Sequence, residues 1–195
     1  MNRQLFFQEI NQSLFRGKLN DRQKEGILYK QAAFDKFEVS DLRWRAYMLA
    51  TSYHETAQTM MPIEEWGKGR GKSYGQKVKH SGLPYSWPDQ IYYGRGDVQL
   101  TWFENYERMG ELMGLPLLEQ PKLALDPEIS ALILVEGMIL GKSNRGDFTG
   151  LSLENYFNTH RDDPFGARRI VNGLDRAPII ASYHYKFLEA IRKAS

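Results

Sequence analysis

A predominantly helical α+β fold is what this sequence predicts, and three observations carry the prediction. Apolar residues recur at helical spacing through most of the chain, with capping residues before them and glycines after them. One segment, 59–101, breaks that pattern with Pro62, Pro84, Pro88 and seven glycines, interleaved with Trp66, Tyr74, Tyr85, Trp87, Tyr92 and Tyr93. The composition, 42% apolar and 26% charged over 195 residues, is that of a folded chain with a sizeable core rather than a disordered one.

The elements follow in order. Phe6, Ile10 and Leu14 share a helix face over 3–15, and Gly17 stops it. A second helix covers 21–34, with Asn20 or Asp21 as its cap. A third starts near Ser40 or Asp41 and runs to about Thr56. Further helices fit 103–113, closed by Gly114, and 127–140, opened by Pro127 and closed by Gly141. The last two cover 163–172, ending at Asn172-Gly173, and 178–193, with Pro178 at its start. Within 59–101, "QIYYGRGDVQLTW" (90–102) reads as a short hairpin with Gly94 and Gly96 in the turn. A segment of that length and composition is more than a connector and points to a site.

Several function classes are disfavoured at once. The net charge of +2 gives no global field toward a polyanion, so no nucleic-acid partner is expected. The absence of cysteine removes disulfides and thiolate metal ligands. The N-terminus "MNRQLFFQEINQSLFRG" lacks the apolar run of a signal peptide, and "ISALILV" is too short to span a bilayer. The expectation is a single-domain, cytoplasmically synthesised monomer without membrane insertion.

The stretch "SYHETAQTMMPIEEWGKGRGKSYG" (52–75) contains fragments of two motifs and completes neither. His54-Glu55 opens a zinc-protease motif, but Gln58 stands where the second histidine belongs. "GKS" (71–73) ends a phosphate-binding loop, but Trp66 stands where its first glycine belongs. No metal or other cofactor is expected. Glu55 instead draws interest by its place on the third helix. At 100° per residue from Leu42, Leu42, Ala46, Leu49 and Tyr53 form one apolar stripe, while Glu55 falls at about 220°, beside Trp44 and Met48. A helix apolar on two sides is central, and Glu55 continues its second apolar side at the C-terminal end. Burial and the negative end of the helix dipole both favour a protonated carboxyl, which a general acid needs. The plain alternative is an exposed helix-end glutamate.

A second carboxylate follows at Glu64 or Glu65, after Pro62 ends the helix. Lys68, Arg70, Lys72, Lys77 and Lys79 come next, with no acidic residue from Trp66 to Pro88. Nearby cations keep such a carboxylate ionised, so the pair is split into acid and base, as inverting glycoside hydrolysis requires. The plain alternative is a solvated basic loop.

"AYMLATSYHET", then "YYGRGDVQLTWFENY" and "RRIVNGLDR" together resemble glycoside hydrolase family 19, the chitinase family that also contains phage endolysins. "LFRGKLNDRQKEGI" and "MMPIEEWGKGRGKSYG" are more similar to its phage and prophage branch. The resemblance implies a lysozyme-like two-lobed fold, with the small β or irregular region beside the cleft. It implies Glu55 as general acid and Glu65 as general base, with Glu64 as the alternative. Thr101 would hold the attacking water, and Gln99, Asn105, Asn172 and Tyr93 would contact sugar. Arg176 would pair with the basic carboxylate. Each has a plain reading beside it. Gln99 and Thr101 could satisfy a hairpin, Asn105 could start a helix, Asn172-Gly173 could be a C-cap and Tyr93 could be core. The resemblance and the basic loop together point to an endolysin-type N-acetylmuramidase acting on peptidoglycan after release through a holin-like pore. A chitinase, or a glycan-binding protein without catalysis, is the alternative.

Overall fold

The computed structural model describes residues 2–144 and 147–195. Six helices and a two-stranded sheet are described: α1 (Arg3–Ser13), α2 (Asp21–Lys36), α3 (Leu42–Glu55), β1 (Ile63–Glu64), β2 (Arg95–Gly96), α4 (Phe103–Met113), α5 (Pro127–Met138) and α6 (Ala177–Ala194). Single 3₁₀ turns cover Ser73–Gly75, Pro121–Leu125, Leu153–Asn155 and Gly166–Ile170.

α3 is the axis of the molecule. Every residue from Ala46 to Tyr53 is buried, as expected of a helix apolar on two sides. Its Asp41 cap accepts from the Arg43 amide at 2.8 Å. α6 packs along α3, α1 lies on α6, and α2 pairs with α5. The end of α1 is tied down where the Asn2 amide donates to the Ala194 carbonyl at 2.6 Å. α2 opens with a capping box, in which Asn20 and Gln23 satisfy each other's backbone amides. α4 closes on Gly114 in the left-handed region (φ +66°), the conformation that a glycine C-cap supplies without steric cost.

Three expectations are corrected. The helix placed over 163–172 is only the 3₁₀ turn Gly166–Ile170. Asp163 binds the Gly166 amide at 2.7 Å, and a Cβ on Gly166 would lie 2.2 Å from the Asp163 carboxylate. Five residues so pinned are too few to propagate an α-helix. The helix over 127–140 ends at Met138, because Ile139 turns extended (φ −103°, ψ 177°). The hairpin over 90–102 is shared differently. Arg95 and Leu100 exchange backbone hydrogen bonds (3.2 and 2.8 Å) around a turn with positive φ at Gly96 (+86°) and Gln99 (+52°). Gly94 stands before that turn. β2's main pairing is instead to β1, antiparallel, with Ile63 opposite Gly96 and Glu64 opposite Arg95.

Candidate active site

That small sheet brings the chain after α3 back across the face of the helical body, and a groove of about 980 Å³ opens beside it. Glu55, Gln99, Thr101, Asn105 and Asn172 all line this groove, so five of the residues singled out in the sequence converge on one surface. Tyr74, His80, Trp102, Glu104 and Phe148 complete its walls.

Glu55 sits at the last turn of α3 with its side chain 15% exposed. Its Oε1 accepts from Arg168 Nη1 at 2.5 Å, and Arg168 is itself 4% exposed. Arg168 Nε donates to the Asp175 carbonyl at 3.1 Å, which fixes the guanidinium plane. A cation at a helix C-terminus offsets the negative charge of the last carbonyls and of the carboxylate. The environment of Glu55 is therefore an ion pair at the groove wall rather than the purely apolar pocket that its helix position suggests. His54 beside it is held below its ordinary pKa by burial, which outweighs the opposing charge of Glu55.

Glu64 ends β1 and Glu65 is the residue after it, and the two carboxylates make separate contacts. Glu64 Oε1 accepts from the Tyr93 hydroxyl at 2.5 Å, and Lys68 Nζ lies 3.3 Å from Oε2. Arg95 Nε stands 3.8 Å away. The Tyr93 hydrogen bond first, then Lys68 and Arg95, hold the Glu64 carboxyl below the usual range. Glu65 makes neutral contacts instead: the Tyr74 hydroxyl at 3.2 Å and the Gly94 amide at 3.0 Å. Tyr74 lines the groove, so Glu65 is joined to the groove wall while Glu64 is bound to the cationic network behind the strand.

Thr101 and Asn105 make no side-chain hydrogen bond within the protein among the described residues, so both are open to a ligand. Gln99 is half committed: its amide nitrogen donates to the Ile63 and Gly96 carbonyls at 3.0 and 3.2 Å, leaving Oε1 as the available atom. Asn172 is exposed, with Oδ1 bound to the Gly173 amide.

Three of the sequence candidates do not line the groove: Glu65, which reaches it only through Tyr74, and Tyr93 and Arg176, which lie elsewhere. Tyr93 is 8% exposed, its hydroxyl is bound to Glu64, and the Arg95 guanidinium stacks 3.6 Å from its ring centroid. It supports the strand from behind and does not line the groove. Arg176 is exposed, and its nearest carboxylate is Asp175 at 3.9 Å, so it pairs with neither Glu64 nor Glu65. The arginine that pairs with Glu55 is Arg168. It belongs to the same "RRIVNGLDR" stretch, but reading that stretch as a helix hides which arginine faces α3. Trp102 was also missed. Its φ of +72° is rare for a bulky residue, and its ring meets His80 at 4.8 Å and Tyr74 at 5.8 Å. Among the described residues no three histidine, aspartate or glutamate side chains are grouped to hold a metal.

The class I chitinase family model matches residues 41–137, the span from the cap of α3 to the end of α5. An endochitinase of Arabidopsis thaliana is 46% identical over 44 residues, covering 22% of this chain and 16% of that protein. A second Arabidopsis endochitinase is 40% identical over 78 residues, covering 40% of the chain and 28% of that protein. The chain thus matches well under a third of the length of these relatives. An inactive chitinase-like protein of Hevea brasiliensis is 50% identical over 44 residues, 22% of this chain and 14% of that protein. Solved structures match along nearly the whole chain. A bacterial family 19 chitinase has a TM-score of 0.60 at 20% identity, over 97% of this chain and 93% of that one. A class IV chitinase from Zea mays gives 0.58 at 23%, over 96% and 90%. Residues 41–137 therefore match glycoside hydrolase family 19 in sequence, and the chain around them has the fold of solved family 19 chitinases.

Proposed function

We propose that this protein is a glycoside hydrolase that cleaves β-1,4 bonds of an N-acetylhexosamine polymer by inversion. The observation that carries the reading is the pair of carboxylates on separate segments: Glu55 in the groove wall and Glu65 just after β1, linked to the groove through Tyr74. An inverting hydrolase needs one carboxyl to protonate the leaving oxygen and another, across the cleft, to take a proton from water. In this reading Glu55 takes up a proton on the carboxylate oxygen that Arg168 does not hold and passes it to the glycosidic oxygen. Glu65 draws the proton from a water that Thr101 Oγ1 holds, and that water attacks the anomeric carbon from the opposite face. Gln99 Oε1, Asn105 and Asn172 bind N-acetyl groups and hydroxyls.

Within that class we propose the peptidoglycan strand as substrate and an endolysin-type muramidase as the activity. The support is electrostatic: Lys68, Arg70 and Lys72 stand exposed on the turn that follows Glu65, and peptidoglycan adds carboxylates that chitin lacks. Chitin is the second reading, favoured by the names of the relatives. Similarity to an inactive relative makes catalysis itself a point to test. Mass spectrometry of products from purified Gram-negative sacculi and from chitin hexamers tests both readings. Muropeptides ending in reducing N-acetylmuramic acid are expected. Products from the hexamer alone would make the protein a chitinase, and products from neither would make it a glycan-binding protein.

A further inference from the structure

Beneath the groove lies an ion pair that the proposed chemistry does not use. Lys30 of α2 is 1% exposed and Asp97, the residue after β2, is 0% exposed, with Nζ and Oδ1 2.8 Å apart. Among the described residues no other ion pair has both partners so completely buried. The remaining polar atoms are also satisfied. Lys30 Nζ donates further to the carbonyls of Gly26 (3.2 Å) and Met60 (2.9 Å). Asp97 Oδ1 accepts from Ser52 Oγ at 2.8 Å, and Oδ2 accepts from Ser130 Oγ at 2.9 Å. Ser130 Oγ in turn accepts the Asp97 amide at 2.8 Å.

Each of these contacts reaches a different part of the site. Ser52 lies one helical turn before Glu55 on α3. Met60 lies on the turn that leads from α3 to β1 and Glu65, and it holds a positive φ (+57°). That turn approaches α2 so closely that a Cβ on Gly26 would fall 1.9 Å from the Met60 carbonyl oxygen. Asp97 starts the turn that carries Gln99 and leads to Thr101. Ser130 belongs to α5, behind the sheet. One buried charge pair thus fastens the acid's helix, the segment leading to the base and the turn leading to Thr101 to a common point.

A fully buried ion pair adds little net stability, because removing two charges from water offsets their attraction. Its hydrogen bonds are directional, however, and they impose position. We propose that Lys30, Asp97 and Ser52 are positioning residues that set the placement of Glu55 relative to Glu65 and Thr101; the proposal rests on the hydrolase reading above. Small displacements of catalytic groups cost rate more than they cost binding.

The test is a set of variants assayed for kcat, KM and Tm on whichever polymer the wild-type protein cleaves. Lys30→Met combined with Asp97→Asn removes both charges at similar volume. It is expected to fold with a Tm near wild type while kcat falls about tenfold to a hundredfold and KM stays within about twofold. Ser52→Ala, which removes one hydrogen bond and leaves the charges paired, keeps the test open if the double variant does not fold. It is expected to lower kcat several-fold at unchanged KM. Ile10→Val, in the core of α1 and away from the groove, supplies a control that lowers Tm without moving kcat. Wild-type kcat in folded Lys30→Met/Asp97→Asn or in Ser52→Ala would overturn the proposal while leaving the hydrolase reading in place. An inactive wild-type protein would overturn both.

Discussion

Glu64 and Glu65 are adjacent and chemically identical, yet the fold gives them different partners. Glu64, at the end of β1, joins the network of Tyr93, Lys68 and Arg95, and Glu65, the next residue, accepts from Tyr74 of the groove wall. Glu65→Gln is expected to reduce kcat by about 10²–10⁴-fold, the usual worth of a general base. Glu64→Gln should cost less than tenfold and act mainly by lowering thermal stability. A steady-state assay with a melting curve checks both, and the reverse ranking would assign the base to Glu64. Arg168 spans the Glu55 carboxylate and the Asp175 carbonyl with one rigid fork. A lysine supplies a single ammonium and cannot hold both, so Arg168→Lys should lose on the order of tenfold in kcat although the charge is kept. Unchanged kcat would show that charge alone suffices at this position.

The helices were legible in the sequence wherever a local signal sufficed. Asp41, Pro127 and Gly114 mark real boundaries, and the two-sided apolar pattern of α3 correctly makes it central. The 3₁₀ turn at Gly166–Ile170 was not legible as such, because what shortens it is the Asp163 side chain bound to the Gly166 amide. The pairing of β1 with β2 was hidden for a similar reason. Two residues of strand carry no period, and their partners lie more than thirty positions away in sequence, Ile63 opposite Gly96 and Glu64 opposite Arg95, pairing only through tertiary structure. α6 holds a feature with a measurable consequence. His184 is 0% exposed, stacked on Phe157 at 5.3 Å and near Tyr47 and Tyr185, and neither ring nitrogen has a hydrogen-bond partner among the described residues. Burial first, then Arg192 and Arg43 against the weaker pull of Asp41, pushes its pKa down to about 4. An unfolded histidine titrates near 6.5, so between these values the unfolded chain binds the extra proton. The stability that neutral His184 contributes is present above about pH 6.5 and is lost as pH falls toward 4, by up to ~3 kcal/mol. Urea unfolding across that range should show a shallower acid loss in His184→Leu than in wild type. Equal slopes would show that His184 is not the group responsible.

At the scale of the molecule, the groove exists because a helical body and a short sheet meet along the C-terminal end of α3. The sequence placed Glu55, Gln99, Thr101, Asn105 and Asn172 on one site, and the structure brings all five to the groove. Glu65 touches the groove only through Tyr74, and Tyr93 and Arg176 lie away from it, their surroundings fixed by partners distant in the chain or by solvent. Arg168 escaped notice because an arginine's partner depends on which way a turn faces. The central claim is that two carboxylates split between acid and base invert the anomeric centre. Proton NMR of the first products from whichever of the two glycans the wild-type protein cleaves, with Glu55→Gln as control, tests it most directly. The account predicts that the newly formed reducing ends appear first as the α-anomer with wild type, and that none appear with Glu55→Gln. First products in the β configuration, or undiminished hydrolysis by Glu55→Gln, would contradict it.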